Sequence, residues 1–319
     1  MKFGELDTAV WEVPLGDDAF RVEECRPIEK SSSESCLVWR EGGPVKRYRV
    51  TTARESLYRI LAAVSPTPAG ILDFAREYGR LGESVETYAT LPDGSGRTVE
   101  PLRKWRAVIV WLSEAVRLWD LANADDRAGL GKVIRWNKGE VRYRMPRRLF
   151  RLVVGEGPPD LTQLWDMMHT ISSFDGSAFI RNDVIEPARC FVLRIINNFL
   201  GGAAQPAMLW DSKHKRVLLR YLPRSLLGAI ALQFGTAILS GRTTRVCPVC
   251  QRYFEVTAQA SRSDRLTCSD RCRIRAYRDR QQRARSLHAK GWSAKRIAHD
   301  LGSDISTIKK WLAQDKGTP

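Results

Sequence analysis

The chain has 319 residues, enough for about two domains. Hydrophobic residues make up 43% and charged residues 28% of the chain, a composition that supports a packed core. This composition excludes a mainly disordered chain, a collagen-like chain and a small disulfide scaffold. The 52 Lys and Arg residues exceed the 36 Asp and Glu residues, and residues 242–319 alone carry 18 basic and 7 acidic residues. A basic excess at one end of a chain favours a polyanionic partner, most often nucleic acid.

Membrane insertion is not expected. The longest nearly apolar stretch, Leu226 to Leu239, has 14 residues, whereas a bilayer span needs about 20. It is therefore predicted to be a core helix. Residues 1–5 show no hydrophobic segment of the signal-peptide kind, so we expect a cytoplasmic protein.

The first 241 residues are predicted to form an α+β domain, mainly helical with β-hairpins. Thr52–Glu55 is a capping-box pattern before an amphipathic helix that begins near Leu57. Thr67 is the predicted N-cap of a second helix, which stops at Gly79. Pro101 opens a longer helix, and further helices are expected near 160–173, 184–200 and 223–240.

Three hairpins are predicted between these helices. They pair 37–40 with 47–50, 133–136 with 141–144, and 207–210 with 216–221. Residues 132–151, around the second hairpin, hold eight basic residues and one acid. This basic hairpin is either a solvated face or a second phosphate-contacting surface.

No enzyme signature stands out in this first part. His169 and His214 lie in no ligand or triad spacing, and neither Gly155-Glu-Gly157 nor Gly201-Gly202 is followed by a phosphate-loop Lys-Ser/Thr. We therefore expect no enzymatic activity. The domain is expected to sense a small molecule or a protein, or to mediate assembly, with a homodimer left open.

Four of the seven cysteines fall within 26 residues, as Cys247-Pro-Val-Cys250 and Cys268-Ser-Asp-Arg-Cys272. A turn and the start of a helix can direct both pairs to one point and form a four-thiolate zinc cage. A disulfide is disfavoured in a cytosolic chain, a redox pair would follow a strand of a βαβ unit, and catalytic zinc keeps a position for water. One structural zinc ion is predicted. The remaining cysteines, Cys25, Cys36 and Cys190, are interpreted as buried small hydrophobes.

The order of knuckle, hairpin and helix is that of a treble-clef zinc finger. The stretch from Cys268 to Arg280 resembles the closing part of proteins with a helical N-terminal domain and a C-terminal CGNR-type zinc finger. The resemblance extends loosely to 71–79 and 223–227. It implies a bacterial transcription regulator with an effector-type N-terminal domain.

The last residues predict a helix-turn-helix. Ser293 caps a short helix, Gly302 breaks it, and Asp304 caps the next helix. The small Ala298 lets the two helices approach, and the branched Ile308 locks the second one. The stretch from Gly291 to Trp311 resembles the homeodomain-like modules of resolvases and transposase relatives.

One helix is predicted to join the two modules. Residues 269–290 lack Gly and Pro and favour helix, with Ser269 as the cap and Gly291 at the end. A break near Gln281-Gln282 is the alternative. A narrow stripe of residues is expected to face protein: Ile274, Tyr277, Gln281, Ala284 and Leu287.

The combined prediction is a DNA-binding transcription regulator with an N-terminal domain (1–241), a four-cysteine zinc finger (242–285) and a helix-turn-helix (286–319). Double-stranded DNA is the expected partner. Phosphates are assigned to Arg271, Arg273, Arg275, Arg278, Arg280 and Arg283, and the major groove to Ser306, Thr307, Lys309 and Lys310. Three alternatives stay open: an RNA-binding or ribosome-associated zinc protein, a DNA-binding component of a mobile-element or defence system, and a nuclease.

Overall fold

The structure, a computed structural model, describes residues 11–16, 18–28, 32–42, 44–48, 50, 56–83, 85–146, 173–211, 215–241, 243–251, 253–256 and 266–313. Mixed helix and sheet make up the chain, and its internal contacts divide it into two units, Met1–Gly241 and Arg242–Pro319. We call these the first and the second unit. The finer division of the second unit at residue 285 stays a prediction.

The first unit begins with a small closed barrel. Its strands are β2 (Phe20–Pro27), β3 (Glu34–Trp39), β5 (Thr87–Thr90) and β6 (Gly96–Pro101), hydrogen-bonded in the order β2-β3-β6-β5. A separate two-stranded sheet pairs β1 (Trp11–Pro14) with β4 (Val45–Tyr48).

The predicted hairpin between 37–40 and 47–50 is wrong. Strand β3 pairs with β2 and β6, while β4 pairs with β1. The reason is burial on both faces of β3, because Leu37 and Trp39 contact the main core while Cys36 and Val38 fill the barrel. Both edges of β3 are paired, one with the preceding strand β2 and the other with β6, which lies far along the chain.

The barrel interior also changes the interpretation of two cysteines. Cys25 and Cys36 are both buried, as expected, but they are joined as a disulfide rather than packed as separate thiols. In the antiparallel register Cys25 lies opposite Glu34 and Cys36 opposite Glu23, so the cysteines are diagonal neighbours on the same face. Because β2 was not predicted from the sequence, this proximity was not predicted either.

The helices of the first unit follow local signals. Within the described part of this unit they are α1 (Leu57–Ala62), α2 (Pro68–Tyr78), α3 (Leu102–Asn123), α4 (Arg127–Leu130), α5 (Ile185–Leu200) and α6 (Leu226–Leu239). Thr67 caps α2 by accepting a hydrogen bond from the Gly70 N–H, and Gly79 ends it with a positive φ of 93°. The capping box at 52–55 and all but the last residue of the helix expected near 160–173 lie outside the described residues, and that last residue, Ser173, begins a strand.

Two predicted hairpins are confirmed. Strands β7 (Ile134–Asn137) and β8 (Glu140–Tyr143) pair around the expected turn, and β9 (Ser173–Asp175) extends that sheet. Strands β10 (Ala204–Asp211) and β11 (Arg216–Pro223) form a longer ribbon than predicted. In the basic hairpin, Arg135 and Arg142 lie directly opposite each other and are exposed, and Arg142 pairs with Glu140 at 2.7 Å.

The core of the first unit is one large cluster centred on α3. Trp105 and Trp111 are fully buried, and Tyr58 of α1 stacks on Phe234 of α6 with ring centroids 4.6 Å apart. Glu100, at the end of β6, is buried beside α3 and accepts hydrogen bonds from the Trp105 indole and two backbone N–H groups. Burial raises the pKa of Glu100 to about 7, although these three donors act in the opposite direction.

The second unit contains β12 (Thr243–Val246), β13 (Tyr253–Val256), α7 (Asp270–Ala289), α8 (Ala294–Leu301) and α9 (Ile305–Ala313). Strands β12 and β13 are an antiparallel hairpin. Over the ranges that the structure describes, no helix combines the length and the apolar character that a bilayer span requires.

Candidate metal centre

Two elements bring the four cysteines of the second unit together. Cys247 and Cys250 lie in the turn after β12, where the Gln251 N–H donates to the Cys247 carbonyl at 2.8 Å. Cys268 precedes α7 and Cys272 lies in its first turn. The Ser269 hydroxyl accepts a hydrogen bond from the Cys272 N–H at 3.2 Å, so the predicted helix cap also fixes the position of that cysteine.

The four sulfur atoms all lie within 4.8 Å of one another. The Cys250–Cys268 and Cys268–Cys272 sulfur pairs are 3.4 and 3.5 Å apart. Zn–S bonds of about 2.3 Å in a tetrahedron place sulfurs about 3.8 Å apart, so the spacing fits one metal ion held by four thiolates. The cluster can therefore bind a metal ion, as the cysteine spacing predicted.

The sulfur of Cys247 lies among backbone N–H groups. Burial raises the pKa of the Cys247 thiol, but backbone N–H groups of Cys268, Cys250 and Val249 directed at its sulfur outweigh this and lower the pKa to about 6. Burial raises the pKa of Cys268 to about 12, helped by hydrogen bonds to Cys250 and Cys272. A cation among these sulfurs would favour the thiolate form of all four.

Helix α7 runs from the cysteine cluster without a break. It spans 20 residues, about 30 Å at 1.5 Å per residue, and passes through Gln281 and Gln282. Gly291, with a positive φ of 84°, follows its end. The continuous helix is confirmed, and the alternative with a break near Gln281 is wrong.

The predicted apolar stripe of α7 is buried only over its second half. Ala284 is fully buried and Leu287 packs beside it, whereas Ile274 and Tyr277 are exposed. Tyr277 instead meets Trp311 of α9 edge-on, with ring centroids 5.2 Å apart. The Trp311 indole N–H also donates to the Tyr277 hydroxyl at 2.7 Å. In the first half of α7, Ile274 is therefore exposed, while Tyr277 contacts α9 through Trp311.

The second half of α7 packs with α8 and α9 around a small core. Five side chains are buried there: Ala284, Ile297, Ala298, Ile308 and Trp311. The predicted cap of α8 is in place, because the Ser293 hydroxyl accepts a hydrogen bond from the Arg296 N–H at 3.4 Å, while the Asp304 cap of α9 stays a prediction. Gly302 takes the left-handed conformation with φ of 54°. Glycine adopts this conformation without the cost that other residues have, so α8 can end there and α9 can begin three residues later.

The six predicted arginines of α7 are all exposed, and apart from Arg280 they divide into two groups. Arg273 pairs with Asp270 at 3.4 Å and Arg283 pairs with Asp300 at 3.6 Å. The second group consists of Arg271, Arg275 and Arg278, which are spaced by four and three residues and share one face of α7. Within the described ranges, no acidic side chain pairs with these three arginines.

An open groove of about 1050 Å³ lies where α7 meets the start of α9. Among its lining residues are Tyr277, Arg280, Lys295, His299, Ser306 and Thr307. The structure thus brings Arg280, Ser306 and Thr307 together, as members of one surface. Lys309 and Lys310 are exposed further along α9 and do not line this groove.

Lys295 and His299 were missed as candidate binding residues. They are four residues apart on α8 and share its polar face, which borders the groove. That spacing was a usable signal, but the interpretation of α8 from sequence concentrated on its apolar residues.

Comparison with known proteins gives one partial match. Residues 279–318 match the family model described as "Putative ATPase subunit of terminase (gpP-like)". The matched part starts within α7 and includes α8 and α9. No curated protein and no solved structure matches the chain.

Proposed function

We propose that the protein binds double-stranded DNA through its second unit, in which a structural zinc ion holds the cysteine cluster. The single observation that carries this proposal is the composition of helix α7. This helix contains a cysteine of the cluster, three arginines that pair with no acidic side chain in the described ranges, and the surface against which α8 and α9 pack. A metal-held hairpin and a three-helix core then form one basic surface.

Zinc is the metal that four thiolates in a tetrahedral arrangement favour. Its role is structural because four protein ligands leave no position for water. Cys247, Cys250, Cys268 and Cys272 would hold it, and Ser269 and the backbone N–H groups around Cys247 would orient them.

Helices α8 and α9 act as a helix-turn-helix in this proposal. Ser306, Thr307, Lys309 and Lys310 on the N-terminal and exposed part of α9 contact the major groove. The α7 arginines contact phosphates, with Arg271, Arg275 and Arg278 as the strongest contributors because no acid neutralises them. Arg280 lines the same groove as Ser306 and Thr307, so it contacts DNA next to these base-contacting residues.

The test is a fluorescence anisotropy titration of the full chain with duplex DNA and with duplex RNA of matched sequence over a range of salt concentrations. We expect a preference for DNA and a log-log salt slope of about −0.9 per phosphate contact. Arg278→Ala should weaken binding to all sequences alike, whereas Thr307→Ala should also relax base preference. Equal binding of RNA would favour an RNA-binding protein and contradict the proposal.

A transcription regulator is the first candidate for the biological role, with the first unit sensing an effector. The second candidate is a DNA-recognition component of a packaging or mobile-element system, favoured by the terminase match. The 40 matched residues contain no G-x4-G-K-[ST] pattern, so we propose that this chain does not itself hydrolyse ATP. Mapping bound sites in the cell separates the roles, since a regulator occupies promoters and a packaging component occupies one packaging locus.

A further inference from the structure

The ribbon of β10 and β11 stands apart from the other sheets. Its two strands pair over eight residues each, from Ala204 opposite Pro223 to Asp211 opposite Arg216. Across the described ranges, they pair with no other strand. A two-stranded ribbon is at best marginally stable in water unless one of its faces is covered.

One face of this ribbon is apolar and exposed. In the antiparallel register Met208 lies opposite Leu219, Trp210 opposite Val217, and Pro206 opposite Tyr221. Met208 is 75% exposed, Leu219 68% and Trp210 61%, and the other three are exposed as well. We call this six-residue surface the ribbon face. The opposite face, with Leu209 and Leu218, is half-buried.

The chemistry of the ribbon face restricts what can cover it. None of its six side chains is charged, although charged residues make up 28% of the whole chain. Nucleic acid and acidic peptides need basic groups at the contact, so they do not suit this surface. Aromatic residues and Met, by contrast, are the residues that the centres of protein interfaces favour.

The area of the ribbon face matches one half of a protein interface. Aromatic side chains carry about 150–250 Å² each and aliphatic ones somewhat less; with five of the six residues 52–75% exposed, the ribbon face exposes on the order of 700 Å². A standard interface buries about 800 Å² on each partner, and the largest apolar patch of a typical monomer is about 300–600 Å².

We propose that the ribbon face is the surface through which two copies of this chain form a dimer. A twofold interface requires a surface that complements itself. When the second ribbon is rotated by 180° about an axis through the centre of the ribbon face, Met208 and Leu219 meet the same pair of the other copy. The end of each ribbon that carries Trp210 then meets the end of the other ribbon that carries Tyr221. Each copy then covers the exposed apolar face of the other, so that both faces of the ribbon are packed. This proposal concerns the first unit and does not depend on DNA binding.

The test is sedimentation equilibrium of the nuclease-treated full chain and of the variants Leu219→Asp and Trp210→Ser. Because twofold symmetry places each substitution in the interface twice, we expect a wild-type dimer at micromolar concentration and dimerisation weakened about 100-fold or more in both variants. Ile180→Asp is the matched control, since Ile180 is 76% exposed outside the ribbon and its variant should remain a dimer.

Far-UV circular dichroism and metal content show whether the variants keep their fold. If Leu219→Asp does not fold, the milder Trp210→Ser decides. A monomeric wild-type chain would overturn the proposal. It would do so even if Leu219→Asp lowered the melting temperature, because the ribbon face would then be covered by another part of the same chain. Dimers that both ribbon variants keep would overturn it too, as would a ribbon face that binds only a different protein.

Discussion

The two units of this chain reach stability by different means. The first unit buries a continuous cluster that includes Trp105, Trp111 and Phe234, and its net charge is +5. The second unit has a net charge of +11 in 78 residues. Among its described residues, the two buried clusters are small, one of Cys247, Phe254 and Val256 and one of five residues around Trp311. A small basic unit with so little core needs another source of stability, and a metal ion is the usual one.

The largest effect is expected at the cysteine cluster. Cys250→Ser or Cys272→Ser should remove the metal and unfold the hairpin β12–β13, because binding of a structural zinc ion contributes about 10–16 kcal/mol to small metal-dependent folds. The first unit, with its own core, should keep its unfolding transition. Elemental analysis and calorimetry measure both effects.

Cys190→Ser is the matched control, because Cys190 is a half-buried free cysteine of α5, outside the cluster. It should keep one zinc ion per chain. Freshly purified wild-type protein without zinc would show that the second unit is stabilised in another way.

The next effect concerns the small core of the second unit. Trp311→Ala removes a buried indole, its hydrogen bond to Tyr277 and the edge-on ring contact, a loss of about 3–5 kcal/mol. We expect α8 and α9 to unfold while zinc stays bound, observed by hydrogen exchange. Ile305→Ala, at an exposed position of the same helix, should change little. Equal protection of α8 in both variants would show that the five-residue cluster is not what holds these helices.

A smaller, pH-dependent effect is expected in the first unit. The pKa of Glu100 rises from 4.5 to about 7 on folding, so the folded state favours the protonated form. The stabilisation is complete below about pH 4.5 and is lost as the pH rises through 7, a fall of about 3 kcal/mol in the free energy of unfolding.

Glu100→Gln should remove most of this pH dependence. It should also lower stability at every pH, because the amide NH₂ cannot accept the hydrogen bonds that one carboxylate oxygen now accepts. Urea unfolding at several pH values measures the slope, with the exposed Glu41→Gln as control. An unchanged slope in Glu100→Gln would assign the pH dependence to other groups.

Features that depend on neighbouring residues could be predicted from the sequence. The caps Thr67, Ser269 and Ser293 and the helix ends at Gly79 and Gly302 are where the sequence predicts them, since a cap needs only residues within one turn. The cysteine cluster could be predicted for a similar reason, because its ligand pairs are two short motifs.

Features that depend on residues far apart in the sequence could not be predicted. The barrel closes through β6, which lies far along the chain from its partner β3, whereas β2 and the disulfide between Cys25 and Cys36 are nearby features that were not predicted because the strand pattern of β2 was not identified. The turn at Pro92-Asp93-Gly94, between β5 and β6, was a local signal that was overlooked. The division of the arginines also needed the structure, because Asp300, the partner of Arg283, lies 17 residues away on α8.

The most direct test of a single DNA-binding unit is the insertion of Gly-Gly between Gln281 and Gln282, inside α7. The insertion leaves the four cysteines and the five buried core side chains in place, but it breaks the rigid helix between them and separates Tyr277 from Trp311. We expect an unchanged zinc content and a loss of about tenfold or more in affinity for the natural DNA site, measured by anisotropy titration. Unchanged affinity, or a wild-type chain that does not bind duplex DNA at all, would contradict the proposal that the metal centre and α8–α9 bind DNA as one unit.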